Sequence, residues 1–471
     1  MRRYEKYKDS GVEWIGEIPE HWGVKKLNYC FNLIGSGTTP TAGNQEYYEY
    51  GEYYWLQTGD LSDSDIYDTS KKITKAAIKD YTTLKIYPIN SLIIAMYGAT
   101  IGKTGILKIE STTNQACCVL SNSNEIHYKY GFYWLNTVKP HIISLSYGGG
   151  QPNINQEQIR CLKIQVPLIE EQTAIATYLD QKTAEIDALI TDKKRLMELY
   201  EEEKSAIINE AVTKGLASTG LASTGLASTG LASTGSAAPG GVGSVLDESA
   251  AGEAVLMKDS GIEWMGEIPA HWEVKRLRHV AKVQTGCTPL IQNSEIDYFE
   301  NGTINWYTPS DFHSNDELKI SKRQINKKAV EDGQVILFPE YSIYLVSIGA
   351  TLGKVSFTKE TASANQQINV ITFYETMLNP IFGYFFFIAN RENIKLEADY
   401  TTLPILNQSK AKNLLLACPP VEEQKEIVQY IEAETQRIDT KKERTQKLID
   451  LLTEYRTALI SEVVSGKVKV V

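Results

Sequence analysis

The chain has 471 residues, 42% of them hydrophobic, enough for two or three domains that each bury a core of their own. The richest apolar run, 381–389, holds a glycine and falls short of the roughly 18 residues a membrane helix needs, and residues 1–8 are polar rather than leader-like, so a membrane role is excluded and a cytoplasmic protein expected. Six cysteines without a CxxC pair and six histidines without HxxxH spacing exclude a zinc site and a disulfide framework, and a net charge of -10 excludes a protein that coats nucleic acid by bulk electrostatics.

The first element is the segment KDSGVEWIGEIPEHWGVKKL at 8–27, which returns as KDSGIEWMGEIPAHWEVKRL at 258–277 with 15 of 20 positions identical. The register holds onward: GATIGK at 98–103 matches GATLGK at 349–354, Asn114-Gln115 matches Asn365-Gln366, and PLIEEQ at 167–172 matches PPVEEQ at 419–424. The chain is therefore a tandem repeat, from 8 to 215 and from 258 to 471.

From about 24 to 165, and again from about 274 to 417, short runs rich in Ile, Val, Tyr and Thr are punctuated by Gly, Asn and Pro, as in SLIIAMY at 91–97. That pattern predicts a mostly β domain with a few helices. Beyond Pro167 and Pro419 the sequence turns charged, with Ile175, Leu179, Ile186, Leu189, Leu196, Tyr200 and Ile207, then Ile427, Ile431, Ile438, Leu448, Leu452, Tyr455 and Leu459, at spacings of three, four and seven. Each series predicts a long amphipathic helix of roughly 60 Å with a narrow seam. Two equal helices with such seams fit a mutual antiparallel coiled coil, which carries the chain from one globe to the other and brings residues 8–22 near Val464. The acidic Glu170 and Glu171, with Gln172, stand at the helix start, where carboxylates favour the positive dipole end, so capping is expected of them.

Between the repeats, four LASTG pentapeptides and SAAPGGVGSV form the connector. A glycine in every pentapeptide costs a helix about 1 kcal/mol, so a flexible linker without chemistry is predicted. The expected boundaries are 1–166, 167–215 (helix), 216–257 (linker), 258–418 and 419–471 (helix).

Motifs of catalysis are scarce. GATIGKT at 98–104 resembles a phosphate loop, but only three residues separate its first glycine from Gly-Lys, and the second copy reads Lys354-Val355 without the hydroxyl that would hold magnesium. It is read instead as a tight turn, either purely structural or presenting a lysine to a DNA phosphate. GSGTTP at 35–40 against QTGCTP at 284–289 keeps one glycine and is read as a structural turn. No amino-methyltransferase tetrapeptide NPPY or DPPY, no GxSxG and no HExxH occurs. Basic residues do cluster at repeat-related places: Ser70-Lys71-Lys72 with Lys75 and Lys79 against Ser321-Lys322-Arg323 with Lys327 and Lys328, near Trp55 and Trp306. Each cluster is either a solvated surface or a track for phosphates.

The DSGVEWIGEIP motif at 9–19 with Trp22 after it, the PLxEEQ stretch opening a long helix, and their recurrence in one chain closely resemble the specificity subunits of type I restriction-modification systems, over everything but the linker. The resemblance implies an α+β fold: two mostly β target-recognition domains separated by a pair of long antiparallel coiled-coil helices in a pseudo-two-fold repeat. It implies a non-catalytic subunit that reads one half of a split site in double-stranded DNA with each domain and docks two modification subunits, with restriction subunits joining them. No cofactor is expected in this chain; S-adenosylmethionine, ATP and magnesium belong to the partners. The rival readings are an orphan DNA-binding or regulatory protein without enzyme partners and a fused restriction-modification enzyme.

Two heads built on one scaffold should share residues that hold the fold or touch phosphate and differ where bases are read. The candidate DNA contacts are Lys71, Lys72, Lys75, Thr100, Lys103, Gln115, Tyr147 and Gln151 in the first repeat, and Lys322, Arg323, Lys327, Thr351, Lys354, Gln366 and Tyr400 in the second. The divergent loops 41–50 against 290–299, 62–68 against 313–319, and 147–151 against 399–403 are the specificity candidates. The candidate partner contacts are Trp14, Ile18 and Trp22, with Trp264, Ile268 and Trp272. The LASTG repeats are expected to leave the spacing of the half-sites unchanged.

Overall fold

The structure, a computed structural model, describes residues 2–146, 153–216, 256–290, 297–313, 317–400 and 403–470. The LASTG connector, Tyr147 and Gln151 lie outside them, as do parts of the loops at 290–299, 313–319 and 399–403. The fold is α+β and internally repeated. Two compact units divide the chain: residues 1–195 with 445–471, and residues 196–444.

In the first unit a five-stranded sheet runs in the order Leu33–Gly35, Cys117–Ser121, Leu92–Ala95, Thr104–Leu107, Ser64–Ile66. Its centre pairs antiparallel, Ile94 opposite Cys118 and Leu92 opposite Ile106. Successive side chains of a strand point to opposite faces. Leu92, Ile94, Cys118 and Leu120 accordingly pack with Tyr130, Trp134 and the helices, while Ile93, Ala95, Cys117 and Val119 pack with Leu56, Leu61 and Tyr87. Both faces are dry, which is why the strand reads as a continuous apolar run instead of an alternating one. A second, three-stranded sheet, Ser111–Thr113, Tyr53–Leu56, Lys72–Ile73, closes over the small cluster of Trp55, Ile73, Ala77 and Leu84. The second unit repeats this plan with Ala281–Thr285, Ile368–Phe373, Ile343–Val346 and Val355–Phe357 in one sheet and Gln324–Ile325, Ile304–Tyr307 and Ser363–Ala364 in the other.

The long helices are Ile169–Lys214, 46 residues, and Val421–Val464, 44 residues. Within each unit a piece of one lies antiparallel to a piece of the other. In the first unit Arg456 meets Asp187 at 2.8 Å, and Leu459, Ile460, Val463 and Val464 share a core with Ile175, Leu179 and Ile186. In the second, Lys204 pairs with Asp439 at 2.9 Å and Lys442 with Glu201, while Ile208, Ala211 and Val212 share a core with Ile427 and Ile431. The seam is thinner than its periodicity predicts: Leu189, Leu448 and Tyr455 are 47%, 40% and 48% exposed. A two-stranded pair covers only a narrow stripe of each helix, and burial is completed near the heads.

The repeated motif at 8–27 is where the burial concentrates. Trp22 and Ile18 are fully buried beside Val463 and Val464, and Trp272 and Ile268 are fully buried beside Ala211 and Val212. These four residues are therefore core and not a surface for a partner, a correction to the sequence reading. Each helix end turns through a glycine of positive φ, Gly466 at +77° and Gly215 at +73°, seated against Pro19 and Trp22 or against Pro269 and Trp272. The expected neighbourhood of residues 8–22 and the second helix's end is present, Ile18 and Trp22 sharing a core with Val463 and Val464, and just before it the Tyr7 hydroxyl donates to the Gly466 carbonyl at 3.2 Å. Among the described residues no helix is long and apolar enough to cross a membrane.

Candidate nucleic-acid interface

The EEQ triplet at each helix start works differently from simple capping. Glu171 accepts from Trp22 Nε1 at 3.1 Å and from the Tyr4 hydroxyl at 2.6 Å, and lies 3.0 Å from His21 Nε2. Glu423 does the same for Trp272 at 3.0 Å, with His271 at 2.8 Å. The Gln172 carboxamide, fully buried, accepts from the His127 amide and donates to the Glu125 and Pro167 carbonyls; Gln424 serves Asn379, Met377 and Pro419 in the same manner. The second glutamate and the glutamine of each triplet weld helix to head, and the HW pair at 21–22 and 271–272 receives the glutamate. Trp14 and Trp264 are half-buried, the first stacked on His141 at 4.4 Å between ring centroids and the second tilted against Phe386.

The shared turn at 37–40 and 286–289 is fixed by close approach. A Cβ on Gly37 would collide with the Thr113 carbonyl, and one on Gly286 with the Ala364 carbonyl, which explains why this glycine alone survives in both copies. Trp55 Nε1 donates to the Thr38 carbonyl at 3.1 Å and Trp306 Nε1 to the Cys287 carbonyl at 3.0 Å. The next residue is clamped by the matched glutamine: Thr39 donates to Gln115 Oε1 at 2.7 Å, and Thr288 donates to Gln366 Oε1. Both glutamines are exposed. With Oε1 committed to the threonine, each carboxamide is left with its NH2 group as a donor to the outside.

Beside this turn runs the basic strand. Lys71, Lys72 and Lys75 are exposed, as are Lys322, Arg323 and Lys327. The structure corrects their pairing by one residue. Trp55 N donates to the Lys71 carbonyl and Trp306 N to the Arg323 carbonyl; Ser70 N and Lys322 N donate to the equivalent carboxylates of Asp60 and Asp311. Lys71 thus stands where Arg323 stands, and Lys72 where Gln324 stands. One extra residue in the loop between Asp311 and Ser321 offsets the sequence match, while the strands pair in the same register in both heads, Tyr54 opposite Lys72 and Asn305 opposite Gln324. Lys72 lies over the Tyr54 ring at 4.3 Å and Arg323 over the Phe299 ring at 3.6 Å. The short helices that follow open alike, Thr74 capping the first and Asn326 the second, so Lys75 and Lys327 occupy the same place.

The glycine turns at 98–103 and 349–354 are hairpins. Gly98 and Gly102 have φ of +68° and +78°, Gly349 and Gly353 of +91° and +84°, and strands Thr104–Leu107 and Val355–Phe357 follow where a phosphate loop would open a helix. Neither turn fits a nucleotide phosphate. Thr100 donates to the Tyr97 carbonyl at 3.1 Å, and Lys354 donates to the Phe312 carbonyl at 2.9 Å, so both act as struts; Lys103 and Thr351 are half-buried. Tyr400 lies in strand Asp399–Tyr400, which pairs with Pro404–Ile405. No group of His, Cys, Asp and Glu able to hold a metal ion occurs among the described residues.

Sequence reasoning passed over Thr39 and Thr288, the partners of the glutamines, although the shared Thr-Pro at 39–40 and 288–289 was the available signal. It also passed over Tyr47 and Tyr298, whose hydroxyls both reach the carboxylate of a following helix, Asp80 and Asp332, at 3.1 Å. The Asp80 hydrogen bond, then desolvation, holds the Tyr47 phenol above its ordinary pKa.

Comparison with known proteins places this arrangement. The profile described as "Type I restriction modification DNA specificity domain" matches residues 19–198 and 269–449. The MjaIX type I restriction enzyme specificity subunit of Methanocaldococcus jannaschii is 28% identical over 193 residues, 40% of this chain and 44% of that relative, so this match spans under half of the relative's length. The MjaVIII specificity subunit of the same organism is 23% identical over 471 residues, 96% of this chain and 94% of the relative. Among solved structures, the HsdS subunit from Thermoanaerobacter tengcongensis superposes with a TM-score of 0.58 at 12% identity, over 96% of this chain and 98% of that one. A chain from a study of type I R-M complex assembly and conformational transition superposes at 0.61 with 14% identity, over 96% and 99%. These superpositions carry the fold, and the profile matched through both repeats carries the kinship: the chain belongs to the type I restriction modification DNA specificity family.

Proposed function

We propose that this protein is the non-catalytic DNA-specificity subunit of a type I restriction-modification complex, reading a bipartite site with one half-site per head. The observation that carries the reading is the contrast between what the heads share and what they vary. The clamps Thr39–Gln115 and Thr288–Gln366 and the tryptophan bonds to the preceding carbonyl are the same in both heads. The residues around them differ, exposed Lys72 against half-buried Gln324 being one case. One scaffold with two surfaces is what two different half-sites require. Lys71, Lys75, Arg323 and Lys327 then serve phosphates, as do the donor groups of Gln115 and Gln366.

Two modification subunits, which hold S-adenosylmethionine, dock on this chain, and restriction subunits bring ATP and magnesium. Because Ile18, Trp22, Ile268 and Trp272 are interior, the docking surface lies elsewhere, with Trp14 and Trp264 retained as candidates. The test is to map methylated adenines in cells carrying the modification subunits with and without this gene. A split motif that vanishes with the gene supports the reading; an unchanged methylation pattern refutes it.

A further inference from the structure

Residues 50 and 301 occupy one structural position in the two heads. Tyr47 and Tyr298, three residues earlier in each case, accept the same backbone bond, from Thr74 N and from Asn326 N, and donate to equivalent aspartates. Tyr48 and Phe299 meet Trp55 and Trp306 edge-on. Tyr50 and Asn301 themselves share the left-handed backbone, φ +57° and +54°. Each is followed by a glycine that presses the turn onto the basic strand: a Cβ on Gly51 would lie 2.6 Å from the Lys72 carbonyl carbon, and one on Gly302 would strike the Gln324 carbonyl.

On this common backbone the side chains differ in kind. Asparagine tolerates the left-handed region; a tyrosine there is a steric outlier. Nothing in the packing repays it, since Tyr50 is 96% exposed. A strained residue that holds nothing in place suggests a task outside the fold. The glycine after each packs on the strand that carries exposed cations, against the backbone of Lys72 in one head and of Gln324, next to Arg323, in the other.

We propose that Tyr50 and Asn301 are equivalent base-reading positions, an inference that rests on the function proposed above. The Asn301 carboxamide has the donor and acceptor that adenine matches with N7 and the N6 amino group in the major groove. Tyr50 offers a ring for the thymine methyl and a hydroxyl for its O4. The invariant backbone sets the approach, and the side chain chooses the base.

The test uses the chain assembled with its modification subunits and carrying Tyr50→Gly or Asn301→Gly, with methylation rates read on duplexes bearing the motif of the unaltered complex and each single-base change of it. The expected result is a loss of discrimination of about tenfold or more at one base pair. That base pair lies in one half-site for Tyr50→Gly and in the other for Asn301→Gly. Glycine suits both backbones, so the melting temperature is expected to hold. Retained discrimination in both variants, uniform weakening over all duplexes, or a lower melting temperature with unchanged sequence preference would each overturn the assignment. An unaltered complex that recognises no split motif would instead overturn the function beneath it.

Discussion

Replacing Gly466 by alanine tests the way a helix end is seated on the motif that begins the repeat. The glycine has φ +77°, which costs an L-residue about 1–2 kcal/mol. Its new Cβ would lie 2.5 Å from Pro19 Cδ, 2.7 Å from Pro19 Cγ and 3.0 Å from Trp22 Cη2, a rigid ring and a fully buried indole that have nowhere to go. Overpacking of that kind adds about 1–3 kcal/mol. The stiffer unfolded chain returns about 0.4–1 kcal/mol. The net expectation is about 2–4 kcal/mol. At Gly215, with φ +73°, the same Cβ would meet Trp272 Cζ2 at 3.1 Å and the Glu423 carboxylate at 3.3 Å, contacts that small shifts relieve, so about 1 kcal/mol is expected there. Amide hydrogen exchange read by mass spectrometry separates the two units, because peptides over 15–27 report on one and peptides over 265–277 on the other. Since about 1.4 kcal/mol is tenfold, Gly466→Ala should speed exchange roughly thirtyfold or more in the first set, and Gly215→Ala about fivefold in the second. Equal effects, or the larger effect at Gly215, would refute the packing argument.

The remaining expectations concern charge, protons and modularity. Glu171→Gln should destabilise more than Glu423→Gln, by about 1–2 kcal/mol against less than 1 in thermal unfolding, because the Glu171 side chain is 12% exposed against 25% and also holds Tyr4. Burial, then the Lys129 ammonium, keeps the His127 imidazole below its ordinary pKa, so its contribution is intact above about pH 6.5 and falls as the pH drops through that value. His127→Asn, the residue that the second repeat carries as Asn379, should flatten part of the acid loss in melting curves between pH 7 and 5. Burial pushes the thiols of Cys30 and Cys418 up to about 11 and that of Cys118 to about 12, while Cys161 is exposed. An alkylating agent at pH 8 should therefore modify Cys161 first and those three only after unfolding, as peptide mapping would show. Exchanging residues 24–165 for the matching part of a relative should change one half of the methylated motif; a change in both halves would remove the idea of independent heads.

Much of the organisation was legible because repetition is read without physics, and because helices announce themselves locally. The triplets at 170–172 and 422–424 do stand in the first turns of the long helices. What stayed hidden depends on contacts far apart in sequence. Trp22 looks like a surface anchor until the end of the second helix covers it, and Glu171 looks like a cap until Trp22 and Tyr4 turn toward it. The pairing of Lys72 with Arg323 failed for a different reason: an insertion of one residue in the loop before the strand leaves no trace in composition, and only the shared strand register, Tyr54 opposite Lys72 and Asn305 opposite Gln324, reveals it. The loop 41–50 stands out in the sequence by its divergence, but what singles out Tyr50 within it is a backbone angle, which no pattern shows.

The first unit is discontinuous, residues 1–195 closed by 445–471, whereas the second is the single stretch 196–444. On a ribosome, this order means that Trp22 and its neighbours emerge early and wait, with their apolar socket open, while the whole second unit is made and folds. The bond from Tyr7 to Gly466 spans 459 residues, and contacts of such separation form late. A nascent or truncated chain lacking residues 445–471 should therefore display a bare tryptophan pocket to chaperones and proteases. The helix end at Gly466 can therefore cover Trp22 only after residues 196–444 have been made.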